Sequence, residues 1–135
     1  MPSALESPDT LSATRDILII DDSQDFRELL KRRLNDYSFA SIYEVERGEA
    51  GRLVFFQLRP SLIFLDLELP DCNGLTILPQ LAAAPWKPRV IVVSSLVGQI
   101  DRQRILRLGA ADVISKPLSR EYFISCMTRH LPGRR

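Results

Sequence analysis

A chain of 135 residues, 45% of them apolar, fits one ordinary domain and can bury a core without disulfide or metal staples. Its 18 basic and 17 acidic residues leave a net charge of +1, and no basic stripe of the kind that binds a genome dominates. Cys72 and Cys126 stand far apart and beside no histidine cluster, which argues against a zinc knuckle or a disulfide framework and fits a reducing cytosol. No apolar run approaches the roughly 20 residues that span a bilayer, and the N-terminus does not read as a signal peptide. The expectation is a cytoplasmic protein with no membrane attachment and no direct nucleic-acid contact.

Residues 1–14 are rich in Ser, Pro and Thr and read as a flexible tail. A short apolar strand at Ile17–Ile20 follows. Phe26, Leu29, Leu30 and Leu34 then recur at helical spacing, with Arg27, Glu28, Lys31 and Arg32 on other faces and Asp22 or Ser23 as cap. Ser41–Val45 is the second strand. Ala50, Leu53, Val54 and Leu58 mark a second helix, closed by Pro60. Leu62–Leu65 is the third strand. Leu75, Leu78, Leu81 and Ala82 mark a third helix that contains Pro79. Val90–Val93 is the fourth strand. Ile100, Ile105, Leu106 and Leu108 mark a fourth helix, stopped by Gly109 in a left-handed cap. Asp112–Ile114 is the last strand. Tyr122, Phe123, Cys126, Met127 and His130 lie in a fifth helix, closed by Pro132-Gly133. No internal repeat is present.

Five strand-helix alternations predict an α/β, doubly wound, five-stranded parallel sheet with five helices, over residues 15–132, with 133–135 as a C-terminal tail. Ligands of such sheets bind at the carboxyl ends of the strands. Asp21 and Asp22 follow the first strand, Asp66 the third, Ser94 and Ser95 the fourth, and Lys116-Pro117 the fifth. Two carboxylates about 5 Å apart repel by roughly 3 kcal/mol at an effective dielectric near 20. A hard divalent cation resolves that conflict, and Mg²⁺ suits a site with few carboxylates and several waters. The cation then makes a place for phosphoryl oxygens, with Lys116 as a point charge and Ser94 as a donor.

The strings ILIIDDS, LIFLDLELPDCNGL and GAADVISKPL, with the Ser94-Ser95 pair between the last two, resemble the receiver domains of two-component response regulators. The resemblance covers about Asp16 to Leu131. Each motif alone is weak; all four in order make the signal strong. It implies a flavodoxin-like strand order 2-1-3-4-5. It implies Asp66 as phospho-acceptor, with Ser94 and Lys116 touching the phosphoryl group. It further implies Mg²⁺ (or Mn²⁺) held by Asp22 and Asp66, by Asp21 directly or through water, and by the backbone carbonyl of Glu68. Pro70 and Gly74 shape the loop over the site, and Lys116-Pro117 is often cis in the family. The implied function is a phosphorylation-dependent signalling switch, not a conventional enzyme, that catalyses its own phosphorylation and dephosphorylation. The implied partners are a histidine kinase or phosphotransfer protein, and a downstream protein met by the fourth helix, fifth strand and fifth helix. The implied state is a monomer or a phosphorylation-dependent dimer. With the sequence ending at Arg135, output is expected by protein contact or through an output domain outside this sequence.

The family often has Tyr or Phe three residues before the lysine; here Val113 stands there, which puts an inward-swinging ring in doubt. Glu68 either repels an incoming phosphate or orients a hydrolytic water. Alternative readings are an aspartyl-nucleophile phosphatase, for which Glu68 replaces the usual second Asp, and an interaction module that is never phosphorylated. A flavin-binding reading of the fold is disfavoured, because this sequence has no phosphate-cradling loop after the first strand and Asp21 and Asp22 would repel a phosphate there without a metal. Taken singly, Asp21-Asp22 reads as a helix cap, Lys116 and Arg102, Arg104 and Arg107 as solvated charges, Cys72 as an incidental thiol, and His130 as a helix-end dipole partner.

Overall fold

The computed structural model describes residues 13–98 and 100–130. Along them alternate β1 (Ile17–Ile20), α1 (Gln24–Leu34), β2 (Ile42–Val45), α2 (Gly48–Leu58), β3 (Leu62–Leu65), α3 (Gly74–Ala82), β4 (Arg89–Ser94), α4 (Arg102–Arg107), β5 (Asp112–Ser115) and α5 (Arg120–His130). All strand pairs are parallel, in the order β2-β1-β3-β4-β5. This is the expected doubly wound sheet, and its order reverses between β1 and β3, where the chain crosses to the other face. The two proposed tails, apart from Ala13 and Thr14, lie outside the described residues. Thr14 is tied down, its amide donating to Arg59 O at 2.7 Å.

The apolar runs of β1 and β3 have no solvent-facing side because both faces are covered. Successive side chains divide between two cores. Leu18, Ile20, Ile63, Leu65, Val90, Val92 and Val113 pack with Phe55, Leu78, Leu81 and Ile105 of α2, α3 and α4. Ile17, Ile19, Leu62, Phe64, Ile91, Val93 and Ile114 pack with Leu30, Leu34, Phe123 and Met127 of α1 and α5.

Several helices differ in detail from the periodicity. In α1 the cap is Ser23, whose side chain accepts from the Phe26 amide, and Arg27, placed on an outer face by spacing, is buried. In α2 the packed face is Gly48, Gly51 and Phe55, while Leu53 is 53% exposed. The reason is close approach: a Cβ on Gly51 would stand 2.7 Å from Ile20 Cδ1, so the helix rests its glycine side on β1. The helix then ends at Arg59 in a left-handed conformation (φ 51°) before Pro60. In α3, Pro79 is accommodated on the exposed side while Ile77, Leu78 and Leu81 fill the core, a burial that outweighs one missing backbone bond. The fourth helix is shorter than the apolar pattern: Ser95–Gly98 forms a 3-10 turn, and Asp101 caps α4 with Ile100 outside it. Gly109 takes a positive φ of 118° just after it, as expected of a helix stop.

Gly74 begins α3 where it crosses the end of β3. Its amide donates to Leu67 O at 2.7 Å, and an added Cβ would meet Asp66 O at 2.5 Å and Leu67 Cα at 2.8 Å. Backbone atoms cannot give way as a side chain does. Gly74→Ala is therefore expected to lower stability by about 1–3 kcal/mol in urea unfolding. Gly98→Ala, with nothing within 4 Å of the new methyl, serves as the neutral reference.

Candidate functional site

The sheet ladders run one step past the strand ends and set the site. The Asp21 amide donates to Val45 O and the Asp66 amide to Ile20 O, both at 3.0 Å. With Ile20 paired to Leu65, the two aspartates follow on adjacent strands at the same level. On the other side, the Lys116 amide donates to Ser94 O at 3.1 Å. Lys116 precedes a cis proline bond and its ammonium stands inward, 2.8 Å from Asp21 Oδ2 and 3.4 Å from Asp66 Oδ2.

Asp21 and Asp66 are buried and Asp22 is exposed, and one oxygen of each lies within 4.8 Å of the others. Desolvation pushes the Asp21 carboxyl above its ordinary value, and the Asp66 charge adds to that; hydrogen bonds from Lys116 and the Ser23 amide pull it back. Lys116 is shared, and it lies nearer Asp21 than Asp66. Its ammonium also sits 4.2 Å from the centroid of the Phe26 ring, so the aromatic face braces the cation from α1. Asp66 Oδ1 accepts from the Glu68 amide at 3.2 Å. Ser94 is fully buried at the end of β4, and its Oγ accepts from the Leu96 amide at 3.2 Å. The Glu68 side chain is exposed, and its backbone bridges to Asn73. The structure thus brings Asp21, Asp22, Asp66 and Lys116 into one cluster, with Ser94 and Glu68 at the neighbouring strand ends.

Three hard carboxylates at this spacing fit an oxygen-preferring divalent cation. Residues 17–127 match the response regulator receiver domain family. The chain belongs to that family. Chemotaxis protein CheY of Listeria monocytogenes is 26% identical over 113 residues, covering 84% of this chain and 95% of that protein. A protein-glutamate methylesterase/protein-glutamine glutaminase of Maricaulis maris is 37% identical over 105 residues, covering 75% of this chain but only 26% of that protein. The solved CheX–CheY–BeF3–Mg complex of Borrelia burgdorferi superposes with a TM-score of 0.76 at 25% identity, covering 87% of this chain and 90% of that one. This receiver therefore works in phosphorylation-dependent two-component signalling. No described helix is long and apolar enough to cross a membrane.

Three supports of the receiver site were not read from the sequence. Arg27 reaches back from α1, donating to Asp21 O at 2.8 Å and to Glu44 Oε1 at 3.0 Å, so it clips the loop after β1 to the edge strand β2. Asp71 in the loop after β3 accepts from the amides of Gly48 and Glu49 at 2.8 and 3.0 Å, which ties that loop to the start of α2. The third is Asp112. Buried at the start of β5, it pairs with Arg102 of α4 at 3.1 Å, with Arg129 of α5, and with His130 at 3.1 Å. Arg102 also donates to Val113 O, so the position without an aromatic ring is gripped through its backbone instead. Arg102 is thus not merely a solvated charge. Cys126 lies against Asp112, and burial first, then the neighbouring carboxylate, pushes its thiol up to about 12. With a protonated thiol and two guanidiniums already on the carboxylate, this group is an ion-pair knot between α4, β5 and α5.

Burial pushes Asp112 up, but the hydrogen bonds from Arg129 and the Val113 amide prevail and hold it at about 2. A carboxyl depressed in the folded state stabilises fully above its unfolded value near 3.8 and loses that stabilisation as pH falls through about 2. The difference corresponds to about 2 kcal/mol. Asp112→Asn is expected to lower stability at neutral pH by that order. In thermal unfolding between pH 4 and pH 2, it should also flatten the acid limb.

Proposed function

We propose that Asp66 accepts a phosphoryl group from a histidine kinase or a phosphotransfer protein, with Mg²⁺ (or Mn²⁺) as cofactor. The observation that carries this reading is the shared ammonium: Lys116 lies against Asp21 and Asp66, in a cluster whose third carboxylate, Asp22, is open to solvent. Asp21, Asp22 and Asp66, with the Glu68 carbonyl, are the groups that would hold the ion, at an acidic cluster of the right donor type. Bound there, it supplies positive charge to the phosphoryl oxygens.

The chain's own residues do the rest. An Asp66 carboxylate oxygen forms the new P–O bond while the P–N bond of the donor phosphohistidine breaks and its electrons leave with the imidazole. Lys116 donates to a phosphoryl oxygen and so stays within a site that gains negative charge. Ser94 carries a hydroxyl hydrogen that it does not spend on the Leu96 amide, which it accepts from, and that hydrogen is available to another phosphoryl oxygen. Output passes through the face formed by α4, β5 and α5 to a protein partner, or to an output domain outside this sequence. The Asp112 knot supports this part of the reading, because it makes those three elements one mechanical unit.

Acetyl phosphate with Mg²⁺ is expected to label the wild-type protein once, at Asp66, and to leave Asp66→Asn unlabelled in intact-mass measurements. Equal labelling of that variant would refute the assignment. In the absence of a donor, Mg²⁺ is expected to raise the thermal midpoint by mass action, since the ion binds the folded site and not the unfolded chain. Asp22→Asn, in which the exposed carboxylate is lost, is expected to need about tenfold more Mg²⁺ for the same rise, equivalent to about 1.4 kcal/mol.

A further inference from the structure

The opposite edge of the sheet gathers charge of the other sign. Arg15 precedes β1, Ser61 precedes β3, Lys87 precedes β4 and Arg89 opens it. The registers Ile17 to Leu62 and Leu62 to Arg89 put these segments side by side. With Ser38 and His130 they line a cleft of about 310 Å³.

The walls are held in place. Arg15 donates to Ser38 Oγ at 2.8 Å. The Trp86 indole donates to Pro60 O at 2.9 Å and the Lys87 amide to Ala84 O at 3.0 Å, so the turn that carries Lys87 is anchored. Lys87 itself has a φ of 56°, in the left-handed region that side chains seldom adopt. Among the described residues, none of the ion pairs involves Arg15, Lys87 or Arg89. Among the described residues that line the cleft there are three cations and no carboxylate; the cations repel one another, and an anion among them relieves that repulsion.

His130 closes one wall of the cleft. Its side chain is only 10% exposed, and Nε2 lies 3.1 Å from Asp112 Oδ2. An ionised carboxylate only accepts, so Nε2 carries the hydrogen. Nδ1 is then a buried acceptor with no hydrogen-bond partner, so His130 shapes the wall and the cations hold the anion.

We propose that this cleft binds a small molecule bearing a diphosphate group, at a site separate from Asp66. Two guanidiniums match the paired oxygens of phosphate, the lysine adds a point charge, and the Ser38 hydroxyl, which accepts from Arg15, has its hydrogen to donate. The volume exceeds what a single phosphate fills. Phe39, half-buried at the same cleft, offers an apolar wall for the rest of the molecule.

The test is a titration of the full chain with inorganic pyrophosphate, followed by amide NMR at about 0.15 M salt, where loose surface attraction is screened. Divalent cations are left out, so that the acidic cluster has no means of holding phosphate. Saturable shifts are expected at Arg15, Ser38, Lys87 and Arg89, with Asp21, Asp66 and Lys116 unmoved. Lys87→Asn combined with Arg89→Gln keeps a residue tolerant of the positive φ and is expected to weaken binding at least about tenfold. Its thermal midpoint should match the wild type. A second arm uses ADP: added shifts at Phe39 with tighter binding identify a nucleotide, and equal affinity identifies the diphosphate alone. Shifts that never saturate, or that spread to Arg102, Arg104 and Arg107, overturn the proposal. So does an unchanged affinity in the double variant.

Discussion

One ammonium holds the functional edge of this sheet together. Asp21 and Asp66 are buried on neighbouring strands, and the charge of Asp66 makes Asp21 harder to ionise. Lys116 lies against both, at 2.8 and 3.4 Å. Removing one partner of a buried pair leaves an uncompensated charge, a loss of about 3–5 kcal/mol. The rest of the architecture serves this arrangement. Parallel strands in one sheet deliver all their carboxyl ends to the same edge, the ladder bonds from Val45, Ile20 and Ser94 fix their level, and Phe26 keeps the ammonium from drifting toward solvent.

Sharing has a chemical consequence. Lys116 brings one positive charge to three carboxylates and lies between two of them, so the cluster retains a net negative character. The site therefore combines a deficit of positive charge with a donor already positioned.

The sheet and its acidic edge were legible in the sequence because they depend on contiguous signals. Runs such as ILII and LIFL leave no choice of exposed face, and the residue after each run falls at the same end of a parallel sheet. The supports were harder to read because their meaning depends on distant partners. Arg27 has the spacing of a solvent-facing residue; only the chain's return 17 residues later, bringing Glu44 alongside, makes it buried. The packed side of α2 escaped the periodicity because Gly48 and Gly51 carry no hydrophobic signal, although they are what lets the helix touch β1. Leu53 sent the opposite, misleading signal. Asp112 looked like the polar start of a strand, since nothing local announces that arginines from two helices converge on it.

The Arg27 clip also bears on the outer edge of the sheet. β2 is an outer strand, and among the described residues one side of its backbone has no neighbouring strand in the sheet. Such a strand is a template on which another chain can pair and aggregate. Here it is only four residues long. It carries Glu44, held by Arg27 and Lys31, and is followed by Glu46, also within reach of Arg27. A second copy aligned in register would have to bring its own glutamates against these. The bonds that steady the aspartate loop thus also keep charged side chains on the rim, where they oppose pairing by another chain.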